Sequence, residues 1–203
     1  MEEHLLSSNN SNNSNNSNNS NNSTEAGWLT PVSDDPTDGE ALDRLLSRWV
    51  CAVSGLQKGR VRPRWQPSQK ALLPADTDWC AVGVIQVIPD DNPAFVLISE
   101  ERSELWRHET IECMASFYGP SGMAIACRFR DGLCLPQNNA ALNLSGLSLK
   151  SYSQITPFPE LINQQWIRRY DLMVSLCRKV VREYDIRTLK PDEAGSYVKF
   201  FGG

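Results

Sequence analysis

The chain has 203 residues, 20 of them Lys or Arg and 24 Asp or Glu, for a net charge of −4. That balance offers no broad cationic surface of the kind that nucleic acid or an anionic membrane requires, and no stretch approaches the ~18 consecutive apolar residues of a membrane span. The opening MEEHLLSS has two acids and no long apolar run, which is not a secretory signal, so a cytosolic chain is expected.

From Ser7 to Ser23 the sequence is only Ser and Asn. Such a tract buries too little surface to offset the entropy of ordering it. Residues 1–37 are therefore expected to be a disordered Ser/Asn-rich arm, a tether or simply slack. One domain with a single core is expected over 38–189, followed by a flexible tail over 190–203.

The first expected element is a helix over Asp38–Leu56, where Ala41, Leu45, Leu46, Trp49, Val50 and Val53 recur at helical spacing. Asp38 can cap its start and Gly55 can stop it. In GRVRPRW, Pro63 assigns a short extended piece to a sheet edge or bulge. Asp76–Ile88 and Ala94–Glu101 are rich in β-branched residues and flank the turn-like PDDNP; they read together as a hairpin.

ELWRHETIECMASFYGP alternates. Trp106, His108, Thr110, Glu112, Met114, Ser116 and Tyr118 share one face; Arg107, Glu109, Ile111, Cys113, Ala115 and Phe117 share the other. This predicts a strand that enters the core as it proceeds. Ser121 can cap a following helix with Met123, Ala126, Cys127, Arg130 and Leu133 on its stripe and Ala124 and Phe129 close by. PQNNAALNLSG has room for one helical turn, and Leu147, Leu149 and Ile155 alternate until Pro157 and Pro159 intervene.

RYDLMVSLCRKVVREYDI, Arg169–Ile186, supports two readings. Tyr170, Met173, Val174, Cys177, Val181 and Tyr184 fit a helix; Tyr170, Leu172, Val174, Leu176, Arg178 and Val180 fit a strand. Its Val, Tyr and Ile content without Ala favours the strand. The fold class that results is α+β, a mostly antiparallel sheet flanked by two main helices.

Chemical signatures are sparse. Cys51, Cys80, Cys113, Cys127, Cys134 and Cys177 form no Cys-x-x-Cys pair and have no nearby His, so they read as structural thiols, with no metal or cofactor set. His4 precedes the Ser/Asn tract, which leaves His108 as the one candidate base, on a strand where a surface role is the commoner one. RHETIE is not His-Glu-x-x-His, and GPSG and GLSL lack the pattern of phosphate loops. The carboxylate pairs Asp90–Asp91 and Glu100–Glu101 fall at hairpin ends, where charges are usually solvated. Arg60, Arg62 and Arg64 read first as a solvated strand face and second as a phosphate-facing stripe. Six tryptophans suit a protein that works through its surfaces. No catalytic residue is assigned.

The unit TIECMASFYGPSGMAIACRFRDGL followed by SYSQITPFPELINQQWIRRYDLMVSL resembles the neck terminator (tail-terminator-like) proteins of tailed bacteriophages. The matching positions are Phe117, Tyr118 and Gly119, then Leu161, Asn163, Trp166, Arg169, Asp171 and Leu172. The resemblance covers about Asp38–Ile186, with no counterpart for the segment after Arg187. It implies a structural virion protein, built as a tail-terminator-like sheet flanked by helices, assembled in the host cytoplasm and acting without chemistry. Six copies would form a ring at the head-proximal end of the tail, capping the tail tube and meeting the head-tail connector. DNA would pass through the lumen without being gripped, and mild acidity suits that; Asp90, Asp91, Glu100 and Glu101 are candidates to face it. The resemblance also places an alternating strand at Arg169–Leu172. A long final strand is then expected over Trp166–Val181, its reach around Arg178–Glu183 extending beyond the sheet towards a neighbouring subunit. Two alternatives remain open: an accessory phage protein, either a soluble adaptor or a carbohydrate-acting enzyme using Asp91 and Glu109, and a DNA-binding protein using Arg60, Arg62 and Arg64.

Overall fold

The computed structural model describes residues 27–66, 68, 71–162 and 164–187. Helix α1 spans Gly39–Ser54, with the Asp38 carboxylate accepting from the Gly39 N–H and Gly55 closing the end at φ 73°. Leu42, Leu45, Leu46, Trp49 and Val50 line its buried face, each stabilising the fold by about 1.5–3 kcal/mol. The short edge strand β1 (Val61–Pro63) runs parallel to β2 (Trp79–Pro89). Pro63 sits on an edge, as expected.

The next two strands are β3 (Ala94–Ser99) and β4 (Arg102–Tyr118). The expected hairpin between the segments now defined as β2 and β3 does not form. Both strands instead pair antiparallel with the same edge of β4, β3 with its first third and β2 with the remainder. The 17 residues of β4 provide an edge long enough for two strands end to end, whereas PDDNP only reverses composition locally. The hairpin that does form is β3–β4, turning at Glu100–Glu101.

After β4 come α2 (Gly122–Leu133), α3 (Pro136–Asn143) and β5 (Leu147–Tyr152). The buried stripe of α2 is Ile125, Ala126, Phe129 and Leu133: Ala126 and Leu133 lie on it as expected, while Ile125 and Phe129 take the places expected for Met123, Cys127 and Arg130, because Phe129 packs between Trp49 and Phe117. Helix α3 has eight residues rather than one turn, and its Asn138 carbonyl accepts from Trp49 Nε1 at 3.0 Å. Three small strands follow, β6 (Thr156–Pro157), β7 (Glu160–Ile162) and β8 (Gln165–Ile167).

Strand β9 runs from Arg169 to Asp185. It is a strand and not a helix. It starts three residues later than expected, since Gln165–Ile167 turn back on β7. Its last part does not leave the sheet: Arg178–Asp185 stay paired with β4. The main sheet has the order β1-β2-β4-β9-β5, with β3 also on β4 and β6 also on β9. The fold is thus α+β with a mostly antiparallel sheet, and the three helices cover one face.

Residues 32–37, expected to belong to the unattached arm, run along the distal edge of β9. The Val32 N–H donates to the Glu183 carbonyl at 2.8 Å, and Ser33 Oγ accepts from the Glu183 N–H at 3.1 Å. Arg178 reaches the same segment through the Thr37 carbonyl at 2.7 Å. These bonds cover an edge that would otherwise invite pairing with another chain. Segment 1–26 of the expected arm, the last two residues of the expected domain and the whole expected tail over 190–203 lie outside the described residues.

Gly119 makes the step from β4 to α2 possible. Its φ is +102°, and a Cβ there would sit 2.5 Å from Asp78 Oδ1 and 2.6 Å from the Thr77 carbonyl. Ser121, the expected cap of α2, makes no capping bond through its side chain; Asp78 Oδ1 instead accepts from the Ser121 N–H at 2.7 Å. Gly119→Ala should therefore cost about 2 kcal/mol or more, read as a shift in urea midpoint; a cost under about 0.5 kcal/mol would mean that the turn relaxes freely. The cysteines differ in access: Cys80 and Cys113 are buried, Cys134 is exposed. Burial pushes the Cys113 thiol up to about 12 and raises Cys80 as well. At pH 8 a thiol reagent should label Cys134 in the native protein and reach Cys80 and Cys113 only after denaturation, as peptide mapping would read out.

Candidate interaction surface

Strict alternation gives the two faces of the β4–β9 pair different chemistry. Ile111, Cys113, Ala115 and Phe117 of β4 lie opposite Leu176, Val174, Leu172 and Tyr170 of β9 and face the helices. Among the described residues the other face has no helix on it. There Tyr118, Ser116, Met114 and Glu112 lie opposite Arg169, Asp171, Met173 and Ser175.

At the base of this open face, where β4 ends and β9 begins, polar groups are tied to one another. Arg169 grips Asp171 with two parallel bonds of 2.8 Å from Nε and Nη2, a charge-assisted fork. The same carboxylate accepts from Ser116 Oγ, which itself accepts from Arg64. Arg169 also reaches Glu160 at 3.4 Å and lies over the Phe158 ring. Both members of the central pair keep only 15% side-chain exposure. Trp79 stacks on Tyr118 at 4.3 Å, and Arg62 lies over Trp79. Burial raises the Tyr118 phenol above its usual value, with Arg169 opposing the shift. Farther along the face, Ser175 donates to Glu112 at 2.8 Å, and Lys179 covers the Trp106 ring.

The residues considered for chemistry are not brought together. The His108 side chain is exposed, its Nδ1 3.6 Å from Asp90 Oδ2, with no nucleophile beside it among the described residues. Glu109, on the helix-facing side, accepts from Arg178 Nε at 2.7 Å and is nearly buried, while Asp91 is exposed in the β2–β3 connection. They form no catalytic pair. Arg62 donates to the Ala71 carbonyl at 2.8 Å and Arg64 to Ser116, so two of the three stripe arginines are held within the chain. Asp90 contacts Arg107, and Glu101 lies 3.8 Å from Arg187; the four acids flank β3 at its two ends. Among the described residues no cluster of His, Cys, Asp or Glu could hold a metal ion, and no helix is long and apolar enough to cross a membrane.

Several large apolar side chains stand in water, among them those of two strand regions. Phe95 and Leu97 on β3 are each 58% exposed, and Leu161 and Trp166 on the β7–β8 hairpin are 58% and 72% exposed. Of the positions that carried the resemblance, Phe117 is fully buried, and Arg169 and Asp171 form the central ion pair; Asn163 lies outside the described residues. The partners of that pair, Arg64, Ser116 and Glu160, were not foreseen. Alternation alone placed Ser116 and Tyr118 on one face, but nothing local placed it beside Arg169.

The sheet thus has a helix-covered face, an open face whose polar groups are paired with one another, and exposed apolar side chains at both ends. A family model described as phage neck terminator protein matches residues 40–199, and the chain belongs to that family: it is a structural protein of the phage neck. The match continues to residue 199, beyond Arg187, where the resemblance was expected to stop. Comparison with curated proteins yields no match.

The ion pair predicts a measurable coupling. Arg169→Met leaves the Asp171 carboxylate largely buried without its partner and should cost about 3 kcal/mol. Arg169→Met combined with Asp171→Leu should cost less than the sum of the single changes by at least about 1 kcal/mol in urea unfolding. Additive losses would mean that the pair is not coupled.

Proposed function

We propose that this neck protein acts as a ring, most simply of six copies, at the head-proximal end of the tail. The ring caps the tail tube, ends its growth and presents a platform to the head-tail connector, and assembly takes place in the host cytoplasm. Membership of the neck terminator family is the observation that carries this reading. The described surface supports it, because a subunit with exposed apolar side chains at β3 and at the β7–β8 hairpin has surfaces that a ring contact would cover. The net charge of −4 is compatible with a lumen that lets DNA pass, since a cationic lumen would bind phosphates and slow transit.

Cryo-electron microscopy of virions carrying a labelled copy should place density for this chain in a closed ring between tail tube and connector. Removing the gene product should leave heads unjoined or tubes of abnormal length. Tails of normal length that join heads in its absence would defeat the proposal.

A further inference from the structure

A cleft of about 340 Å³ opens at the base of the sheet, lined among others by Arg62, Trp65, Leu72, Trp79 and Glu160. Trp65 is 63% exposed and lies against Gly83, where an added Cβ would come within 3.2 Å of its ring. The cleft thus combines aromatic walls with basic side chains. Around it, residues 58–66, 71–79, 158–162 and 164–171 hold six Lys or Arg against four Asp or Glu, a net of +2. The nearby β7–β8 pair is a two-stranded sheet with exposed apolar side chains, a unit that is marginal in water until something packs on it.

The other end of the sheet has the complementary character. Among the described residues β3 pairs with β4 alone, so its outer backbone edge is open for pairing. Phe95, Leu97 and Ile98 project from it into solvent. Residues 85–107 hold five acids against two arginines, a net of −3. This end is apolar in the middle and acidic at its margins.

We propose that the β3 end of one subunit seats in the base cleft of the next. The proposal rests on the ring reading and specifies which surfaces make it. A subunit cannot satisfy its own cleft. β3 pairs with Ser103 at one end of β4, and the cleft adjoins Tyr118 at the other; fifteen residues of strand separate them by about 50 Å. Tip-to-tip contact would set acids against acids, and base-to-base contact would set arginines against arginines, so like-charge juxtaposition disfavours both. Tip-to-base contact matches charge and covers apolar surface on both sides. It is heterologous, and repeated heterologous contact closes into a ring when the rotation between subunits allows it.

The test places a photo-activated benzoylphenylalanine at Leu97 in assembled virions and maps the cross-linked peptides by mass spectrometry. A second probe at Phe95 serves if the first impairs folding, and one at Leu144, 90% exposed near α3, is the control. The expected result is a covalent dimer joining the β3 probe to the 62–79 segment of another copy, at least tenfold above the control. A ring visible by microscopy, with β3 probes that join elsewhere, join another protein or join nothing, would overturn the inference and leave the ring standing. Absence of any ring would overturn the reading beneath it.

Discussion

The rest of the structure depends on one pairing. All 17 residues of β4 are in register with all 17 of β9, from Arg102 opposite Asp185 to Tyr118 opposite Arg169, without a bulge. Side chains alternate with period two, so a slip of one residue would put Leu172, Val174 and Leu176 in water and bring Arg169 and Asp171 against the helices. Burying the apolar set opposes the slip from one face. The Arg169–Asp171–Ser116 connection opposes it from the other, because those groups find partners in only one register. Most of the other strands are attached to this pair: β2 and β3 to the outer edge of β4, β5 and β6 to β9, and residues 32–33 to the last open length of β9.

The two faces hold the pair in different ways. On the helix side, Phe117, Phe129 and Trp49 form a tilted and edge-on aromatic chain within a continuous core. Removing apolar area from water accounts for most of its stability there. Arg178 is the exception, a charge on the apolar face of β9. It is tolerated because Glu109 and the Thr37 carbonyl take up its donors at 2.7 Å each. That same contact fastens the entry of α1 to the sheet. The open face contributes less by burial and more by restricting which arrangement is acceptable, since an arginine or carboxylate left without its partner there would carry a heavy desolvation cost.

Much of this was legible in the chain, and the failures have a common origin. Periodicity located α1, the entry of β4 into the core and the core residues of β9, because each is long enough for its pattern to repeat several times. Asp38 and Gly55 marked the ends of α1 by local chemistry. Strand partnership was not legible: PDDNP reads as a hairpin turn, yet β2 and β3 each found β4, whose length only the whole sheet reveals. The stripe of α2 was right at Ala126 and Leu133 but included Met123 and Cys127, which count as apolar in a pattern, while Ile125 and Phe129 had the tertiary partners. The Arg64–Ser116–Asp171–Arg169 connection spans three separated stretches of chain, so composition within any one of them carries no trace of it.

The long β4–β9 pair also explains how one small domain can present two unlike surfaces. A short sheet would merge its ends into one patch, and a patch that matches itself favours a two-fold dimer, which consumes the surface and stops. Here β3 at one end is apolar with acidic margins, and the Trp65–Trp79 region at the other is aromatic and basic. Sign alone disfavours the two-fold dimer on either surface, and what remains open is a contact with direction. In the proposed ring, such a contact would repeat from copy to copy in one sense. The same strand pairing that fixes the core therefore also holds these two unlike surfaces apart.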